Sequence, residues 1–203
     1  VENPNIELEN NIKYNYKITG VLPSDIESTN PYWLNEKGSL GMYKVSDASI
    51  IGIPETQRKL HANFILEFDG YSIGFYKPVI YRYSEPDKGE LYKPFDVLPE
   101  VTVKMSDEVY FFNTDKQKEI EVIVKAGKDN IEGFVSMCYP NDWNIYPEKQ
   151  KIILNKKGDQ QKMVFTVIPP KNDSEGLISP MVDINGKIYT KELFEIDYSH
   201  IPF

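Results

Sequence analysis

Short runs that alternate apolar and polar side chains recur along this chain, and each is stopped within a few residues by Gly, Asn, Asp or Pro. A period of two places every second side chain on one face of a pleated strand, while a helix needs a period near 3.6. The strongest instance is NFILEFDGYSIGFY. Taking Asp69-Gly70 as a two-residue turn sets Phe68 opposite Tyr71, Leu66 opposite Ile73 and Phe64 opposite Phe75, so that three apolar pairs share one face of a β-hairpin. Asn185-Gly186 in MVDINGKIY repeats the device, with Ile184 opposite Lys187 and Val182 opposite Tyr189.

Further strands are expected in IKYNYKI, VTVKM, VYFFN, KEIEVIVK, GFVSMCY, KIILN and KMVFTVI. In KEIEVIVK the inward set is Ile120, Val122 and Val124; in KMVFTVI it is Met163, Phe165 and Val167. Breaks such as KAGKDN and NKKGDQ separate them. Helix is nearly excluded: VLPSDIESTNPYWLNEKG has room for one short turn, capped by Ser24 or Ser28 and confined by Pro23 and Pro31. About ten short strands with hardly a helical period describe an all-β protein of β-sandwiches. Pro94 and Pro99 in KPFDVLPEVTV bracket an extended connector, which divides the 203 residues into two tandem sandwich domains, 1–97 and 98–203. The first carries a long loop over 21–41, a candidate functional segment or a cover for a sheet edge.

Composition narrows the partners. Net charge is −8 and no Lys/Arg run follows a phosphate backbone, so nucleic acid is not expected. No apolar run reaches the ~18 residues of a membrane helix, and VENPNIELENN lacks the basic start and apolar centre of a signal peptide. With Val1 first and IDYSHIPF last, the chain reads as a segment of a longer product. One cysteine rules out an internal disulfide.

Chemistry-bearing patterns are few. GYSIG, residues 70–74, matches G-x-S-x-G with His200 downstream, which makes Ser72 a candidate esterase nucleophile. That motif needs a strand, a sharp turn and a helix, whereas Ser72 falls inside a hairpin strand as an ordinary hydroxyl. His61 and His200 belong to no metal-ligand spacing, and neither metal nor cofactor is expected. Cys138 ends the strand GFVSMCY, where it is expected to face the core together with Trp143, with Pro140, Asn141 and Asp142 forming the turn between. Asn172-Asp173-Ser174 fits a glycosylation acceptor. The remaining candidates are Tyr76, Tyr81, Tyr83 and Tyr92, aromatic faces able to stack on sugar rings, against the alternative that they pack a core or cover an edge.

CYPNDWNIYP followed by KIILNKKGDQQKMVFTVIPP resembles the immunoglobulin-like module found beside bacterial glycosidase catalytic domains, except that Asp142 stands where Gly usually precedes the Trp. NPYWLNEKGSLGMYKV, PVIYRYSEPDKGELYKPFDVLPEVTV and IDYSHIP extend the resemblance to the region after the catalytic domain in large exported PIG-L or LmbE-like deacetylases. The resemblance implies two immunoglobulin/fibronectin-III-like sandwiches without catalytic residues, since the A-H-P-D-D-E zinc motif of that family is absent from this sequence. It also implies a periplasmic or extracellular bacterial location, the catalytic domain of the same parent chain as partner, and a glycan as a further one.

Overall fold

The computed structural model describes residues 5–23, 25–54 and 56–195. Its strands are β1 (His61–Phe68), β2 (Tyr71–Pro78), β3 (Ile80–Glu85), β4 (Gly89–Pro94), β5 (Val101–Met105), β6 (Lys118–Ala126), β7 (Ile131–Cys138), β8 (Asn144–Tyr146), β9 (Lys149–Leu154), β10 (Gln160–Ile168), β11 (Ser179–Ile184) and β12 (Lys187–Tyr189). All their pairings are antiparallel. Helical geometry among the described residues is confined to the 3₁₀ turns Tyr32–Leu34 and Ala48–Ile50. The chain is therefore all-β, built from antiparallel sheets.

From Val101 onward two four-stranded sheets, β5-β6-β10-β8 and β12-β11-β7-β9, face one another across a single core. Ile120, Val122 and Val124 on one side and Met163, Phe165 and Val167 beside them are buried, as the alternation of their strands requires. Across the core stand Ile131, Val135 and Met137 of β7 with Ile152 of β9 and Val182 of β11. Burying such branched side chains on both inner faces supplies the main stabilising term, at roughly 25 cal/mol per Å² of apolar surface. The two long sides are stitched. The Val103 amide donates to the Lys191 carbonyl at 3.0 Å, while Gln150 Nε2 donates to the Val164 carbonyl at 2.8 Å and the Ile153 amide donates to Gln161 Oε1 at 3.3 Å. Polar groups on the β9 edge are thereby engaged within the fold, which blunts that edge as a template for foreign strands.

Trp143 closes one end. Its ring meets Phe112 edge-on at 5.1 Å, its Nε1–H donates to Ser174 Oγ at 3.3 Å, and that hydroxyl donates to Asp142 at 3.1 Å. Asp142 thus ties the Pro140–Trp143 turn to the segment before β11, a role that a glycine could not fill.

The first half is built differently. Among the described residues before Val101, none is buried. β1 pairs only with β2, and β3 only with β4. The β1–β2 register places Phe64 against Phe75, Leu66 against Ile73 and Phe68 against Tyr71, with Asp69 (φ 47°) and Gly70 (φ 81°) in the left-handed conformations of a two-residue primed turn. The apolar face forms as its alternation dictates, yet Phe68 remains 73% exposed and Ile73 60% exposed.

Three expectations are corrected. IKYNYKI forms no strand: Ile12, Tyr16 and Ile18 are exposed and join no ladder among the described residues, and the Ile12 amide closes a turn onto the Glu9 carbonyl at 3.4 Å instead. VYFFN forms none either; its Tyr110 and Phe112 pack against the core as a plug, with the Tyr110 hydroxyl accepting from the Asp107 amide at 3.0 Å. Cys138 is exposed rather than inward. Since Val135 and Met137 point into the core, the period of two turns Cys138 out.

Candidate functional site

The tyrosines read from the sequence lie on two separate hairpins. β3 and β4 are joined by Pro86-Asp87-Lys88, with Gly89 at φ 76° supplying the left-handed position that closes a three-residue loop. Register then sorts the side chains. Tyr81 is opposite Lys93 and Tyr83 opposite Leu91, while Arg82 is opposite Tyr92 and Ser84 opposite Glu90. Tyr81 and Tyr83 therefore share a face, their rings near-parallel at 17° and 5.6 Å apart, with the Lys93 ammonium 5.7 Å from the Tyr83 ring centre. Tyr92 lies on the opposite face. Its hydroxyl donates to Glu90, which holds the phenol above its usual range, and Glu90 also pairs with Arg82 at 3.2 Å. Tyr76 belongs to β2, edge-on to His61 at 5.3 Å. Of the four, the fold brings together only Tyr81 and Tyr83.

Ser72 is the second residue of β2, paired with Glu67. The adjoining Asp69-Gly70 turn joins two antiparallel strands and no helix follows Ser72, so it lacks the strand-to-helix elbow and helix N-terminus of the motif it matches. His61 pairs with Pro78, six residues along the same strand or about 20 Å from Ser72. His200 lies outside the described residues. Among the described residues no group of His, Cys, Asp and Glu side chains is placed to hold a metal ion.

A signal the sequence did not announce is a cleft of about 670 Å³ where the two halves meet, lined by residues of 27–35, 50–53 and 56–59 and by Lys191. Its walls are held by polar bonds, most of them between segments distant in sequence. Thr29 donates its amide to the Val97 carbonyl at 2.7 Å and accepts the Val97 amide through Oγ1 at 2.9 Å. The Thr56 hydroxyl donates to the Asn30 carbonyl at 3.1 Å, and the Gly52 amide donates to the Tyr32 hydroxyl at 3.2 Å. Asp47 accepts from the Ser49 hydroxyl and amide, which keeps its carboxyl below the usual range and caps the turn Ala48–Ile50. Lys59 pairs with Glu27 at 3.0 Å and Arg58 with Asp96 at 3.4 Å. The Asn30 amide, turned to satisfy both ends, donates to the Thr29 carbonyl at 3.2 Å and accepts from Lys191 Nζ at 2.6 Å. A cleft at the seam of two halves, assembled from residues about 130 positions apart, is invisible to local pattern reading.

No helix of the described residues is long and apolar enough to cross a membrane. No protein-family profile matches the chain, and no curated protein matches it.

Proposed function

We propose that this chain is a non-catalytic accessory region of a larger enzyme, with an immunoglobulin/fibronectin-III-like sandwich over 98–203 and a docking module over 1–97. The strand order supports the sandwich assignment: β5-β6-β10 against β12-β11-β7-β9 follows the A-B-E and G-F-C-C′ sheets of such folds, while the short β8 beside β10 precedes β9 in the chain and departs from that order. The observation that carries the docking module is the apolar stripe of β1–β2, Phe64, Leu66, Phe68, Tyr71, Ile73 and Phe75 on one face, all exposed. Contiguous apolar faces of this kind mark interaction surfaces. The occupant proposed is the catalytic domain of the same parent polypeptide, with the first half completing its own sandwich only when so covered. That this domain is a zinc deacetylase of the PIG-L or LmbE-like kind, acting on N-acetylglucosamine-type substrates outside the bacterial cytoplasm, rests on the sequence resemblance alone.

The test is to mix the purified 203-residue chain with the separately produced catalytic domain and follow sedimentation. A one-to-one complex is expected, lost in a Leu66→Ser/Ile73→Ser double variant whose sandwich core still melts as the parent does. Absence of a complex, together with full enzyme activity and unchanged melting after deletion of this chain from the parent, would sink the proposal. A second reading, a glycan platform, is favoured by the near-parallel Tyr81 and Tyr83 rings. It requires glycan affinity that falls in Tyr81→Ala and Tyr83→Ala without loss of fold.

A further inference from the structure

We propose that the cleft at the seam binds a sugar acid, a hydroxylated ring bearing one carboxylate, at a site separate from both the apolar stripe and the tyrosine hairpin. Among the described residues three cations line it, Arg58, Lys59 and Lys191, together with the Glu27 carboxylate, while Asp96 stands 3.4 Å from Arg58. The chain as a whole carries −8. A cationic concavity on an acidic protein focuses the local field and draws anions to that place. The three cations differ in how they are engaged. Arg58 and Lys59 already face Asp96 and Glu27, whereas Lys191 is bonded to the neutral amide of Asn30 and makes no ion pair among the described residues. Its charge meets no carboxylate among the described residues and is available to a ligand carboxylate.

The remaining chemistry points to hydroxyl groups on that ligand. The Tyr32 hydroxyl accepts from Gly52, which leaves its own proton free to donate, and the amides of Asn35 and Gln57 each offer a donor and an acceptor. Paired donors and acceptors on both walls match alcohols, which both give and take hydrogen bonds, and are wasted on a bare inorganic anion. The volume, about 670 Å³, falls in the range of small-ligand sites and exceeds what a phosphate or a two-carbon acid fills. The Lys191 backbone is anchored to the sandwich, its carbonyl accepting from the Val103 amide of β5 at 3.0 Å, and its ammonium is held toward the cleft by Asn30.

The experiment is an NMR titration of the ¹⁵N-labelled 203-residue chain with glucuronate, glucose and inorganic phosphate in turn. Glucuronate is expected to shift the amides of residues 27–30, 32–35, 56–59 and 191, with glucose at least about tenfold weaker, since it lacks the carboxylate that would take the charged hydrogen bond. Lys191→Met should lose about tenfold in affinity. Glu27→Gln should gain affinity, because it removes the competing carboxylate beside Lys59, and a purely structural role for Glu27 predicts no such gain. Tyr81→Ala and Leu66→Ser should bind as the parent does, which keeps this outcome distinct from those of the docking and glycan readings. Equal binding of glucose and glucuronate, phosphate binding tighter than glucuronate, no binding at all, or unchanged affinity in both Lys191→Met and Glu27→Gln would each overturn the proposal.

Discussion

Phe165→Ala tests whether stability resides in the second half alone. Phe165 is fully buried in β10, a central strand flanked by β6 and β8, and sits opposite Ile120, itself fully buried. Removing the ring forfeits its transfer free energy and leaves a cavity that two hydrogen-bonded neighbours prevent from collapsing. Such truncations cost about 3–5 kcal/mol. Against a typical domain stability of about 5–15 kcal/mol that is a large fraction, equivalent to roughly 15–30 °C in Tm for a unit of about 100 residues. Phe75 is the control. It is as large and as apolar, and it stacks on Phe64 at 5.2 Å, but it is 40% exposed on a hairpin outside the core. Phe75→Ala is therefore expected to leave the unfolding of the sandwich within about 0.5 kcal/mol of the parent. The assay is urea unfolding followed by Trp143 fluorescence in a Trp33→Phe background, since Trp143 is buried against the core while Trp33 lies in the first half. A loss below about 1 kcal/mol for Phe165→Ala, or an equal loss for Phe75→Ala, would refute the assignment of stability to one core.

Three further outcomes follow from particular contacts. A Cβ on Gly133 would overlap the Asp183 carbonyl oxygen of β11, so Gly133→Ala must push the paired strands β7 and β11 away from each other; a loss of about 1–3 kcal/mol in the same urea assay is expected, and an unchanged midpoint would contradict the close approach. Cys138 is exposed, so a thiol-specific chromogenic reagent should titrate one thiol per chain without denaturant; reaction only after unfolding would show it to be inward after all. The Lys128 ammonium, 2.8 Å from Glu100, holds that carboxyl below its usual range. Because the folded-state value lies below the unfolded one, the pair stabilises at neutral pH and its contribution is lost as pH falls through the carboxylate range. For a pair this exposed the effect is below about 1 kcal/mol, and Glu100→Gln should flatten the decline of Tm between about pH 5 and pH 3; identical slopes in parent and variant would count against it.

Local physics was legible where one face of a strand had a core to meet. The two primed turns, at Asp69-Gly70 and Asn185-Gly186, set their registers to the residue, because two adjacent left-handed positions admit only one closure of the ladder. The inward sets of β6 and β10 followed from a period of two. The same rule, applied strictly, assigns Cys138 outward once Met137 is inward. It failed for IKYNYKI and VYFFN because alternation states a capacity to pair and carries no information about a partner. One became exposed coil and the other a plug beneath Trp143.

Composition and periodicity by themselves determined that the chain is all-β and which residues of β6 and β10 turn inward. Both are properties of neighbours a few positions apart, where backbone sterics decide. Tertiary structure alone decided which apolar faces are covered. β6 and β10 bury theirs against a facing sheet, whereas the hairpin β1–β2, patterned just as well, has no second sheet over it among the described residues. It also brought Lys191 beneath Asn30 and Arg58 to form the cleft. Burial and convergence depend on surfaces distant in sequence coming together, and no local pattern encodes that meeting.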